Sequence, residues 1–261
     1  MNIEIHDSAK AQKFSNIFQH IKLFTDSINL TFDGKQLYVQ AMDSSHIVIF
    51  EIYLPSLWFC KYSFPKGNSS FVIGLNATFF YKILNTRDKS QHLSIEYSED
   101  VSDKLFIHFT HPDPKIFDKH FELPLIDIES DLLGIPDFSS NIIIKMPSSD
   151  FASIVNNMQI FGDTLQFQCE ENKMKIVSNS SETGNMAVDI DKDVIQSYSL
   201  EDDEPLHVSF ALYKMHDICM YSKIAEEIEI FLTANYPIKI NYDIGQDAKL
   251  VFFLAPKINE D

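Results

Sequence analysis

Histidine, cysteine and carboxylate side chains are the groups through which this chain could make and break bonds, and their spacing argues against it. His108, His111 and His120 are close enough in sequence to be weighed as metal ligands. They fall on a strand end and a proline-containing loop, with no cysteine or regularly spaced acid beside them, and read as solvated loop histidines. Cys60, Cys169 and Cys219 are odd in number, far apart and without a Cys-x-x-Cys pair, so neither a disulfide framework nor a zinc ribbon is expected. Asp189-Ile190-Asp191-Lys192-Asp193 lacks the central glycine and distal glutamate of a calcium loop, and Glu201-Asp202-Asp203-Glu204 is a plain acidic run. Seven glycines supply no Gly-x-Gly-x-x-Gly or phosphate loop, and Gly-x-Ser-x-Gly and His-Glu-x-x-His segments are absent. No catalytic residue, metal or cofactor is expected, and the chemistry to look for is binding.

The basic residues are the ones suited to it. A formal charge of −17 should repel phosphates if it were spread evenly. It is not: Lys10, Lys13, Lys22, Lys82, Arg87, Lys89, Lys214 and Lys223 fall in four windows, 8–25, 75–90, 147–162 and 211–225. These windows hold only three acids, Asp88, Asp150 and Asp217, so they net +5 while the remainder nets −22. Such sorting suggests one positive surface that can face phosphates and one negative surface that cannot. The alternative, that these segments merely sampled few acids, stays open, because the third window has no basic residue and the fourth little excess.

The same windows carry helical periodicity. In residues 10–24, Phe14, Ile17, Phe18 and Ile21 recur at steps of three and four. Asn76 is placed to cap a second helix carrying Phe79, Phe80, Ile83 and Leu84, and Pro147-Ser148-Ser149-Asp150 to open a third carrying Phe151, Ile154, Val155 and Met158. A fourth is expected over 211–225, with Leu212, Met215, Ile218 and Cys219 inward. The rest reads as strand, as in Leu37-Tyr38-Val39-Gln40 and Ile228-Glu229-Ile230-Phe231-Leu232, giving an α+β chain with strands predominating. Asp33-Gly34 signals a hairpin through residues that tolerate positive φ.

The order helix, strand, turn, strand recurs at an offset of about 135 residues: Phe14 and Ile17 precede Leu30-Thr31-Phe32 as Phe151 and Ile154 precede Leu165-Gln166-Phe167. Two domains of similar topology are therefore expected, at 1–122 and 138–261, with the proline-bounded stretch 123–137 as an extended linker over the surface. An ordinary edge strand inside one domain is the alternative reading of that stretch. The 261 residues suffice for two cores, and no run of about 18 apolar residues is present. Met1-Asn2-Ile3-Glu4-Ile5-His6 alternates like a strand and not like a signal segment, so a nucleocytoplasmic protein without a membrane role is expected.

Six collinear stretches resemble proliferating cell nuclear antigen, the eukaryotic-type DNA sliding clamp. They are Met42-Asp43-Ser44-Ser45-His46, Leu133-Gly134-Ile135-Pro136, Lys145-Met146-Pro147-Ser148 with Phe151-Ala152, Gly162-Asp163, Phe210-Ala211-Leu212 and Leu254-Ala255-Pro256-Lys257-Ile258. The resemblance spans the whole chain. It implies a non-enzymatic homotrimeric ring, with helices lining the pore and antiparallel sheets outside, that encircles double-stranded DNA without sequence preference. Such a ring serves DNA polymerase as a processivity factor in replication and repair, in the nucleus or a viral replication compartment, and a clamp loader and other clients carry its binding motif. It implies a client-peptide pocket at Met42, His46, Ile47, Ile49, Leu133, Ile135, Pro136, Pro237, Phe253, Leu254, Ala255 and Pro256. It also implies ring closure between edge strands near 115–123 and 183–190, with Phe121, Met158 and Phe161 in an apolar cluster.

This chain departs from the family pattern in places. Ser153, Asn156, Tyr213 and Met220 stand where relatives are often basic, and Glu171 stands where eukaryotic relatives carry a ubiquitin-accepting lysine, with Lys173 nearby. The Asn, Ile, Lys and Phe bias suits the AT-rich genome of a protist or a large DNA virus. A monomeric viral-type processivity factor and a subunit of a heteromeric checkpoint clamp are the competing expectations.

Overall fold

The computed structural model describes residues 1–65, 69–101, 103–129, 132–135, 140–170, 173–198 and 205–257. The order is β1 (Asn2–Ile5), α1 (Ser8–Gln19), β2 (Ser27–Asp33), β3 (Gln36–Met42), β4 (Val48–Pro55), β5 (Lys61–Ser63), β6 (Ser70–Asn76), α2 (Ala77–Leu84), β7 (His92–Glu96), β8 (Lys104–Thr110) and β9 (Lys119–Pro124). It continues with β10 (Ile142–Pro147), α3 (Ser148–Met158), β11 (Thr164–Glu170), β12 (Lys173–Ser180), β13 (Gly184–Ile190), β14 (Ile195–Tyr198), β15 (Leu206–Ala211), α4 (Leu212–Cys219), β16 (Glu227–Leu232), β17 (Ile238–Gly245) and β18 (Ala248–Leu254). Each half puts a helix after its first strand and another after its sixth. The fold is α+β, built of two topologically similar halves.

Strand pairing repeats with the order. β1 pairs antiparallel with β5 and β7, as β10 does with β14 and β16. β2 pairs with β3 and β6, as β11 does with β12 and β15. The duplication expected from the spacing of Phe14 and Phe151 thus extends to ladder partners. The chain forms two compact units, one of Met1–Ser44, Glu51–Leu133 and Ile244–Lys249, the other of Ser45–Phe50, Gly134–Asp243 and Leu250–Asp261.

Each unit buries the apolar stripe of its helices. In the first, Phe14 and Phe18 of α1 meet Phe80 of α2 edge-on, with ring centroids 6.4 and 4.8 Å apart, and Trp58 closes the cluster on Phe14. In the second, Phe151, Val155 and Met158 of α3 and Leu212, Met215 and Ile218 of α4 are buried, and the Tyr242 hydroxyl donates to the Ile218 carbonyl at 3.1 Å. Burying each such side chain contributes about 1.5–3 kcal/mol. Among the described residues no helix is long and apolar enough to cross a membrane.

Local chemistry moves some expected boundaries. α1 begins at Ser8, earlier than the stripe suggests, because the Asp7 carboxylate accepts from the Lys10 amide at 2.7 Å and caps the first turn. It ends at Gln19, and Ile21–Leu23 continues as a 3-10 turn that keeps Ile21 buried. The fourth helix, expected over 211–225, likewise stops at Cys219 and gives way to the 3-10 turn Met220–Lys223. Asn76 caps α2 by accepting from the Phe79 amide. The hairpin after Asp33 forms without positive φ at Asp33 or Gly34. Instead the Asp33 carboxylate accepts from the amides of Lys35 and Gln36, so the side chain shapes the turn.

Candidate functional site

The basic residues separate into two groups. Lys22, Lys82, Lys89 and Lys223 are exposed and Lys13 is half-buried, and none of these takes part in the ion pairs seen among the described residues. Those pairs join Lys61 to Glu4, Lys104 to Glu122, Lys119 to Asp88, Lys145 to Glu227, Lys175 to Asp189 and Lys257 to Asp163, and every lysine in them lies on a strand or in a loop. The strand lysines Lys239 and Lys249 are in none of these pairs either, and their ammonium groups lie over the Phe231 and Tyr53 rings.

Three expected members of the basic set are otherwise engaged. The Arg87 guanidinium is half-buried and its Nη1 donates to the carbonyls of Asp88, Lys89 and Gln91 at 3.1, 3.1 and 2.8 Å. Burial lowers its pKa, and it serves to fold the chain after α2. Lys214 is only 6% exposed, with its ammonium 5.3 Å from the Tyr213 ring, because α4 packs that side inward. The Lys10 ammonium donates to the Trp58 carbonyl at 3.0 Å and to Gln246 and lies over the Trp58 ring. These three are corrections to the expected phosphate-facing set.

The expected client-pocket residues are partly surface and partly core. Met42, Ile47, Ile49, Ile135, Pro237, Ala255 and Pro256 are half-buried, His46 is exposed and takes a left-handed backbone (φ 59°), and Leu133 is 39% exposed. The Ala255 amide donates to the Ile47 carbonyl at 2.8 Å, so these two expected residues are neighbours. Leu254 (0% exposed) and Phe253 (7%) are core side chains and present no open surface, because nearly every position along β18 is buried. Pro136 lies outside the described residues, as does Glu171.

Gln40 and Gly74 were not anticipated, yet they hold the stretch that reads as a linker. The Gln40 side chain donates to the Leu133 carbonyl at 3.0 Å and accepts from the Leu133 amide at 2.6 Å. Farther back the Ile126 amide donates to the Gly74 carbonyl at 2.9 Å, and Asn29 donates to the Ile128 carbonyl at 3.2 Å. A Cβ on Gly74 would lie 2.1 Å from the Ile126 carbonyl oxygen, so that approach needs glycine. A glycine inside a strand pattern was the available signal.

Both expected closure strands sit at sheet edges: β9 is the terminal strand beside β8, and β13 the terminal strand beside β12. Phe121 is half-buried in an apolar groove with Phe79, Ile83, Leu123 and Pro124, between α2 and β9. Phe161 is half-buried, while Met158 is fully buried in its own unit and is removed from the expected interface cluster.

Of the three histidines expected in loops, His111 lies in the loop after β8, whereas His108 and His120 lie within strands. His108 and His120 face each other across β8 and β9 with Nδ1 atoms 2.8 Å apart, and His6 stacks on His92 at 4.3 Å. Among the described residues no group of three or more His, Cys, Asp or Glu side chains is arranged to hold a metal ion. Burial pushes the Cys169 thiol up to about 12 and Cys219 higher still, which leaves neither activated as a thiolate.

Comparison with protein families gives two adjoining matches. The family described as proliferating cell nuclear antigen, N-terminal domain, matches residues 6–132, and that described as proliferating cell nuclear antigen, C-terminal domain, matches residues 134–257.

Proposed function

The chain belongs to the proliferating cell nuclear antigen family of sliding clamps, and from that premise we propose that it closes as a homotrimer around double-stranded DNA and tethers a polymerase and other clients to it. The observation that carries this reading is the set of helix-associated lysines without acidic partners, Lys13, Lys22, Lys82, Lys89 and Lys223, in a chain of net charge −17 in which Lys61, Lys104, Lys119, Lys145 and Lys175 of the strands are paired with acids. Facing a duplex, these ammonium groups attract phosphates without reading bases, and contacts of that kind permit sliding. The acidic remainder discourages DNA from binding anywhere else. Ring closure brings edge strands β9 and β13 of neighbouring copies together, which removes two unpaired edges from each chain.

In this reading clients bind as extended peptides against the linker at 123–137 and the segment Ala255-Pro256, with Met42, His46, Ile47, Ile49, Leu133, Ile135 and Pro237 as the surrounding surface. The protein turns over no substrate and works in the nucleus or a viral replication compartment. The test is retention after loading by a clamp loader. The chain is expected to stay on covalently closed circular DNA and to run off once that DNA is cut, and equal retention on both forms would overturn the reading.

A further inference from the structure

Gln40 lies on the outward face of β3, one turn of sequence before the segment already assigned to client binding, and its side chain makes three contacts that act together. Its Nε2 donates to the Leu133 carbonyl (3.0 Å) and to Glu51 Oε1 (3.3 Å), and its Oε1 accepts from the Leu133 amide (2.6 Å). Glu51 is 8% exposed and held in place by the Tyr38 hydroxyl at 2.6 Å. A carboxamide carries the same donor and acceptor pair as a peptide group, so Gln40 pairs with Leu133 as a strand neighbour would. Glutamate lacks the donor, lysine lacks the acceptor, and asparagine is one methylene short. Glu51 accepts the remaining amide proton and so fixes which end of the carboxamide meets which end of Leu133.

We propose that Gln40 is a positioning residue for client binding, one that locks the end of the linker in the conformation a client peptide pairs with. The inference rests on the assignment of Leu133 to the client groove. Between the tether at Ile126 and the one at Leu133 the chain bridges only a few residues, so losing the second tether frees the apolar run Leu132-Leu133, 63% and 39% exposed. A client would then have to order that segment itself, and the cost appears as lost affinity with no client contact removed.

The test compares the wild-type chain with Gln40→Leu and Leu133→Ala. Hydrogen exchange reads the tether, and binding of a fluorescein-labelled clamp-binding-motif peptide reads the consequence. In Q40L the Leu133 amide is expected to exchange at least about tenfold faster, while the Ile126 amide and the melting temperature hold, and peptide affinity is expected to fall about tenfold. Equal Leu133 exchange in wild type and Q40L would overturn the tether. Unchanged peptide affinity in Q40L alongside a loss in L133A would overturn the positioning role alone. Indifference of the peptide to both variants would overturn the groove assignment and the positioning role with it.

Discussion

Lys82 and Arg87 lie five residues apart at the end of one helix and are both basic, yet only one is available to a partner. Lys82 is exposed with just the Phe79 ring beneath it, 5.2 Å away, whereas Arg87 donates to three backbone carbonyls. Arg87→Ala is therefore expected to cost about 1–2 kcal/mol in denaturant unfolding, since it removes the half-buried guanidinium and its bonds to three carbonyls, with little change in the salt dependence of DNA binding. Lys82→Ala is expected to leave stability within about 0.5 kcal/mol and to reduce the slope of log affinity against log salt by about one. The reverse pattern would exchange their roles. Charge type and spacing were legible in the sequence: Lys13 lies in α1 and Lys82 in α2, while Lys22 and Lys223 fall in 3-10 turns and Lys89 beyond the end of α2. What sequence could not convey for Lys10, Arg87 and Lys214 is what lies opposite the head group, since Gln246 and Trp58 reach Lys10 from distant parts of the chain.

Elements were legible where a local interaction fixes them. Asn76 announces α2 and Phe151, Val155 and Met158 announce α3, because capping and a repeating apolar step act within one or two turns. The ends of α1 and α4 were not, because the 3-10 turns at Ile21–Leu23 and Met220–Lys223 bury the same apolar residues a longer helix would have. The route of the linker over β6 was equally hidden, since Gly74 looks like any strand glycine until Ile126 is set against it. Gly74→Ala is expected to push the linker off β6 and cost about 1–3 kcal/mol, read as a lower melting temperature together with faster exchange of the Ile126 amide. Strand β7 gives a pH test. Burial first, and then the neighbouring His6 and His111, hold the His92 imidazole below its usual range, with Glu4 opposing them. The unfolded chain then binds that proton more readily. The resulting stability is complete above the ordinary imidazole pKa of about 6.5 and is lost as pH falls through the lower folded value. Denaturant midpoints measured from pH 7.5 down to 5 should fall, and His92→Gln should flatten that fall.

The whole molecule is organised by sorting of charge and repetition of topology. A chain of −17 leaves its helix-associated lysines without acidic partners while five strand lysines are paired with acids, and it uses one set of strand partners twice. The repetition was legible because a buried stripe must recur wherever the same packing recurs, as Phe14 and Phe151 do. β9 and β13 are terminal strands of their sheets, and in the proposed ring they pair with each other across neighbouring copies. The central claim is that the chain closes into a ring of three. Sedimentation equilibrium at micromolar concentration tests it most directly: the expected species has a mass of about 90 kDa, three times the 30.1 kDa of one chain. A single species at 30.1 kDa that persists as concentration rises would contradict it.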